Sequence, residues 1–203
     1  TVYVADYGNG ALRRISPAGL VSTVARSFWA PTGVAVDGVG NAYVVDQGNH
    51  TIRKVTPSGE VATVAGTAGV TGSTDGVAGA ALFNSPCGVA LDPSGNLYVS
   101  DAANNTIRKI SPAGVVSTLA GQAGAAGGVD ATGPAARFNR PQGLALDRAG
   151  NLYVSELWNH TIRKITPDGV VTTLAGAFGE AGSTDGTGGL ARFNMPNGLA
   201  VDG

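Results

Sequence analysis

A chain of 203 residues with 43% hydrophobic and 13% charged residues and 32 glycines holds enough apolar matter for a sizeable core and is dense in turns. A formal net charge of −1 argues against a nucleic-acid binder, whose footprint is a strongly basic face, and no apolar run approaches the roughly 20 residues that span a bilayer as a helix. The single cysteine, Cys87, excludes an internal disulfide framework.

In chain order, TVYVAD (1–6) reads as a strand, YGNG (7–10) as a turn, and the segment around Arg13-Arg14 as a second strand. WAPTGVAVD, from Trp29, then opens a unit that returns as FNSPCGVALD, FNRPQGLALD and FNMPNGLAVD, with Pro31, Pro86, Pro141 and Pro196 each 55 residues apart. A fixed period of this size marks a repeat architecture. Within the unit from Pro86 to Arg137, CGVALD is a first strand and DPSGN a turn. NLYVSD is a second strand with Leu97 and Val99 on one face and Tyr98 on the other. After the polar turn AANN, TIRKIS sets Ile107 and Ile110 among charged positions, SPAG turns, and VVSTLAG is a fourth strand. Four short strands with tight connections predict an antiparallel meander, and its repetition predicts a propeller.

The motifs P-x-G-[VL]-A-[VL]-D, G-N-x-Y-V-x-[DE], N-x-T-I-R-K-[VI] and P-x-G resemble the NHL repeat of β-propellers over essentially the whole chain. The resemblance implies four-stranded blades around a central channel, in a family that includes protein-binding and RNA-binding modules and a few enzymes. Fold alone therefore does not give function, which is sought where the repeats differ.

Tyr3, Tyr43, Tyr98 and Tyr153 are equivalent at spacings of 40, 55 and 55, so the first repeat lacks 15 residues between its fourth strand and the next first strand. The expected architecture is one all-β domain over 1–203, with four NHL-type blades: 196–203 plus 1–28, 29–82, 83–137 and 138–192. The first of these is split, and pairing NGLAVDG with TVYVAD in a velcro closure would leave no open sheet edge. Three assemblies are open at this point. They are a ring closed within one chain, a homo-oligomer whose split blades are completed by a neighbour, and a fragment or minimal propeller with no activity of its own.

The 1–2 turns (DGVGN, DPSGN, DRAGN) and 3–4 turns (TPSG, SPAG, TPDG) share one end and are uniform. The 2–3 turns YGNG, QGNH, AANN and LWNH share the other end with the long 4–1 loops, and there the repeats diverge. Variable loops on a rigid scaffold are where binding residues sit. The residues after the prolines, Thr32, Cys87, Gln142 and Asn197, are expected to ring the channel mouth at that end. Trp158 in a 2–3 turn and Phe178 in a 4–1 loop are further candidates, since aromatics are enriched at interfaces. Trp29 is expected instead to replace Phe83, Phe138 and Phe193 as a buried plug between blades.

The acid closing strand two (Asp6, Asp46, Asp101, Glu156) recurs with Arg13, Arg53, Arg108 and Arg163 of strand three. One pair per blade predicts a structural contact rather than catalysis. His50 and His160 share one position in two repeats and are binding candidates. Two histidines fall short of the three or four ligands of a zinc or copper site. Asp75, Asp130 and Asp185 stand singly among glycines, too few for a calcium loop and suited to turn formation. There is no phosphate cradle, and no Ser-His-Asp set stands out from the repeat pattern. Cys87 has no evident base. No catalytic residue, metal site or cofactor is therefore assigned.

The reading is a non-catalytic binding or scaffolding module for protein, peptide or carbohydrate. The alternative, carried by the resemblance, is a metal-dependent lyase or lactonase. Gly- and Thr-rich repeats of this bacterial-looking kind resemble those of secreted or surface proteins.

Overall fold

The computed structural model describes residues 1–202; Gly203, the last residue of the expected split strand, lies outside the described residues. Gly- and Pro-bearing turns interrupt each β-prone run after a few residues, so the chain folds into short antiparallel strands. Helical residues among those described are confined to three-residue 3-10 turns. The first sheet is β1 (Val2–Asp6), β2 (Ala11–Ile15) and β3 (Val21–Arg26). The second is β4 (Pro31–Val36), β5 (Ala42–Asp46), β6 (Thr51–Val55) and β7 (Val61–Ala65). The third holds β8 (Gly76–Val77), β9 (Pro86–Leu91), β10 (Leu97–Asp101), β11 (Thr106–Ile110) and β12 (Val115–Gly121). The fourth holds β13 (Ala131–Thr132), β14 (Pro141–Leu146), β15 (Leu152–Glu156), β16 (Thr161–Ile165) and β17 (Val170–Ala175). Consecutive strands pair as meanders; β8 and β13, drawn from the long loops, cap the outer strands β12 and β17.

The Pro-led edge strands β4, β9 and β14 of successive sheets pack against one another, so the sheets radiate from a shared line. The P-x-G glycine allows this approach. A Cβ on Gly33 would sit 2.7 Å from the Cys87 carbonyl oxygen, and Gly88 and Gly143 are hemmed in likewise by the carbonyls of Gln142 and Asn197.

Three cores fill the three spaces between sheets, each with one phenylalanine: Phe28, Phe83 and Phe138. Because inner sheets are covered on both sides, both faces of a strand are apolar. Ile110 belongs to the core shared with the second sheet, and Ile107 to the core shared with the fourth. Leu97 and Val99 are buried while Tyr98 is half-buried, matching the alternation read from the sequence.

Two expectations are corrected. Trp29 is not the plug; it is 65% exposed, and Phe28 is buried in its place. The 55-residue period puts Phe28, not Trp29, in register with Phe83. Nor is the split blade assembled. β1 pairs only with β2, and residues 196–202 carry no strand. Asn197 lies beside β14, its carbonyl accepting the Gly143 N–H at 3.1 Å. The physical reason is the order of packing: β1 touches β4, β4 touches β9, and β9 touches β14.

Candidate functional site

The 2–3 turns and the long loops meet at one end of the sheets. The Gly69 and Gly179 N–H groups donate to the Asn49 and Asn159 carbonyls at 3.1 Å each, and Asn104 Nδ2 donates to the Gly72 carbonyl at 2.7 Å.

Beneath these loops the acid–arginine pairs act as struts. Arg108 Nη1 lies 3.0 Å from Asp101 and Arg163 Nη1 2.9 Å from Glu156, with all four side chains buried. The acid closing strand two also takes the amide of the asparagine three residues on: Asn9, Asn49, Asn104 and Asn159 each reach back to Asp6, Asp46, Asp101 and Glu156. Burial pushes the Asp101 carboxyl up to about 6, against the pull of the Asn84 N–H, Asn104 and Arg108. Burial likewise raises Glu156 against Arg163 and Thr161.

Each inner arginine has a second acid that the sequence reading missed. Asp75 lies 2.6 Å from Arg108 Nη2 and Asp130 2.6 Å from Arg163 Nη2. Their carboxylates also accept the N–H and hydroxyl of Thr118 and of Thr173. These aspartates fasten the 4–1 loops rather than merely turning them. Burial works to raise Asp130, but the Thr173 N–H and the Arg163 guanidinium outweigh it and hold the carboxyl below its ordinary range. The signal was the common 55-residue step of Asp75 and Asp130, shared with Arg108 and Arg163.

The histidines also prove to be part of the frame. His50 Nδ1 accepts the Ser85 N–H at 3.1 Å and His160 Nδ1 the Met195 N–H at 3.0 Å; in the intervening repeat Asn105 Oδ1 accepts the Arg140 N–H at 2.9 Å. All three acceptors adopt left-handed backbone, φ 58°, which Asn and His tolerate better than most residues. Their alternation with Asn105 reflects a shared latch onto the next repeat. Among the described residues, no three His, Cys, Asp or Glu side chains converge as a metal-ligand group.

Thr32, Cys87, Gln142 and Asn197 come together around one cavity of about 220 Å³ on the central line, floored by Gly33, Gly88 and Gly143. Thr32 Oγ1 donates to the Cys87 carbonyl, and the Cys87 thiol to Gln142 Oε1, each at 2.7 Å. Gln47 Nε2 approaches the sulfur at 3.6 Å. Ser100 Oγ bridges the Gly88 N–H and the Gln142 carbonyl, and Ser155 Oγ does the same for Gly143 and Asn197. Burial pushes the Cys87 thiol up, so it serves as a hydrogen-bond donor rather than a thiolate.

Trp158, Phe178, His50 and His160 do not line this cavity. Trp158 is 52% exposed and Phe178 57% exposed. Arg140, one step before the cavity strand β14, sets its guanidinium 5.2 Å from the centre of the Trp158 ring. The Phe178 ring packs on Gly128 of the preceding loop, filling the place a Cβ would take. Trp29 packs on Gly48 in the same way, and its carbonyl accepts the Gly48 N–H at 2.8 Å. Arg140 and Gln47 were missed because neither is distinctive in one sequence; only packing brings them to the rim.

A family profile described as the NHL repeat matches residues 83–110 and 138–165. NHL repeat-containing protein 2 of Homo sapiens is 34% identical over 131 residues, covering 59% of this chain and 18% of that protein. A Bacteroides thetaiotaomicron structural-genomics protein of unknown function overlays 95% of this chain on 49% of its own, at TM-score 0.78 and 25% identity. A streptogramin B lyase overlays 84% of this chain on 49% of its own, at TM-score 0.61 and 14% identity. The chain thus spans about half of these structures and less of the curated relative. The two matched segments, which hold β9–β11 and β14–β16, are thus NHL repeats, and the fold is all-β with antiparallel sheets and propeller-like structural neighbours.

Proposed function

We propose that residues 1–203 form a single binding module that recognises a protein or peptide segment on the face carrying the 2–3 turns, the 4–1 loops and the central cavity. The observation that carries this reading is the Arg140–Trp158 stack, with the indole exposed and Arg140 half-buried beside the strand that brings Gln142 into the cavity. Trp and Arg are the residues most often found as hot spots, and a cation over an indole is pre-organised for contact. The size of the cavity favours a protein or peptide ligand over a small molecule. Small-molecule sites occupy roughly 300–1,000 Å³. At about 220 Å³ this one suits a single inserted side chain, met by the amides of Gln142 and Asn197 and the hydroxyl of Thr32. The exposed rings of Trp158 and Phe178 provide the flanking apolar contact.

Selection of a displayed peptide library on the wild-type chain, followed by titration of the recovered peptides, tests this. The triple variant Trp158→Ala, Gln142→Ala, Asn197→Ala is expected to lose binding while keeping its melting temperature within a few degrees. Undiminished affinity in the triple variant would overturn the assignment of the face. Selection of glycans but no peptide would overturn the ligand class.

A further inference from the structure

Among the described residues, an arginine drawn partly out of water ends on a carboxylate or a carbonyl oxygen in every case but one. Arg140 is the exception. It is half-buried, and its backbone is engaged on both sides, the N–H by Asn105 Oδ1 at 2.9 Å and the carbonyl by the Leu157 N–H at 3.1 Å. Its guanidinium, however, has neither a hydrogen bond nor a carboxylate partner among the described residues. What holds it is the Trp158 ring, whose centre lies 5.2 Å away. The ring fixes the place of the cation without supplying a counter-charge. Both sheets that grip Arg140 lie inside the chain, Asn105 belonging to the third and Leu157 to the fourth. At the same step between the second and third sheets stands Ser85, with no charge. The cation is therefore particular to this junction and is not part of the repeating frame.

A second donor is left over two residues further on. Gln142 is only 9% exposed. Its Oε1 accepts the Cys87 thiol at 2.7 Å, which leaves its Nε2 without an acceptor among the described residues. An amide so enclosed calls for one, and the side chain lines the central cavity. Burial pushes the Cys87 thiol up, while Thr32 and the positive charge of Arg140 pull against it, so the guanidinium lies within electrostatic reach of the same cavity. No aspartate or glutamate lines that cavity, and Asp101 and Glu156 beneath the loops are buried and already paired.

We infer that Arg140 and the Gln142 amide form a carboxylate site at the cavity mouth, which takes the side chain of an aspartate or glutamate in a bound peptide. This rests on the reading of that face as a peptide-binding surface and names the side chain it selects. The planar fork of a guanidinium matches the two oxygens of a carboxylate, and one fixed positive charge balances a monoanion. A phosphorylated side chain would arrive with more negative charge than the site can meet. The Trp158 indole keeps water from one face of the pair, which strengthens it.

Magnetic-resonance titration of the full chain with N-acetylglutamate amide, followed at the Trp158 indole N–H, tests the site; N-acetylglutamine amide is the uncharged match. Saturable shifts are expected with the glutamate compound, and binding at least about tenfold weaker with the glutamine compound. Arg140→Gln is expected to weaken the glutamate compound at least about tenfold with an unchanged melting temperature, since the guanidinium holds no other group. Arg140→Lys keeps the charge but loses the fork and is expected to recover only part of the affinity. Arg148→Gln, at an exposed arginine of a 1–2 turn, is the control and should bind as wild type does. Equal binding of the two compounds, or unchanged affinity in Arg140→Gln, overturns the inference; so does tighter binding of N-acetylphosphoserine amide. The display selection separates this inference from the reading beneath it. Recovered peptides that need Gln142 and Trp158 but carry no acid overturn the carboxylate site and leave the face standing. A saturable glutamate response with no peptide recovered overturns the face and upholds the site.

Discussion

At the scale of single residues, what separates the four repeats is how completely each arginine is enclosed. Arg108 and Arg163 are buried between two carboxylates, while Arg13, with one distant partner, keeps 29% of its side chain exposed. Removing one member of a buried pair strands the other charge away from water and costs about 3–5 kcal/mol, whereas an exposed pair contributes about 0–1 kcal/mol. Arg108→Met is therefore expected to lower unfolding stability by about 3–5 kcal/mol, and Arg13→Met, in dilute protein, by no more than about 1 kcal/mol. Urea denaturation of both variants checks this; equal losses would show that burial of the strut does not set its worth. The pairing itself was legible in the sequence, because both partners recur once per repeat. The second acid was visible only as a residue among glycines, since its partner lies 33 positions away in the chain.

At the scale of the element, the strand beginning P-x-G does two jobs. Its alternation buries Val89 in one core and Ala90 in another, and its glycine lets neighbouring inner strands approach to backbone contact. A methyl group on Gly88 would collide with the Gln142 carbonyl and crowd Ser100. Gly88→Ala is expected to cost about 1–3 kcal/mol, the range for overpacking, and to spread the cavity. Gly8→Ala, with open space at the Cβ position, is the control and should lie within about 0.5 kcal/mol of wild type. Thermal melts of the pair decide it, and a neutral Gly88→Ala would refute the role given to close strand approach. Strand existence, order and turn positions were readable from alternation and turn residues. The one-residue error at Trp29 came from reading chemistry before register: an aromatic was matched to an aromatic, when counting from Pro31 already assigned the plug to Phe28.

At the scale of the molecule, each sheet packs only on its neighbours, so stability is a sum over repeats and interfaces. The third sheet has packed cores on both sides, while among the described residues the first sheet shares one core and its β1 pairs only with β2. Amide exchange is expected to be fastest in β1 and slowest in β10 and β11. Uniform protection across the four sheets would instead indicate one global unfolding unit. The candidate site also belongs to this scale. The sequence showed that Thr32, Cys87, Gln142 and Asn197 vary beside a constant proline. That they surround one cavity follows from the radial packing of β4, β9 and β14, and Arg140 over Trp158 follows from loop contacts between repeats.

The sequence by itself determined the all-β repeat, its strand order, its turns and the pairing of acid with arginine. These follow from a fixed period and from interactions within about a dozen residues, which local pattern records. Only the tertiary structure decided that the histidines latch one repeat to the next and that the loop aspartates clamp buried arginines. It alone decided that, among the described residues, β1 pairs only with β2. Those outcomes depend on how one sheet sits against another, and that angle is set by summed side-chain packing rather than by any residue a motif displays.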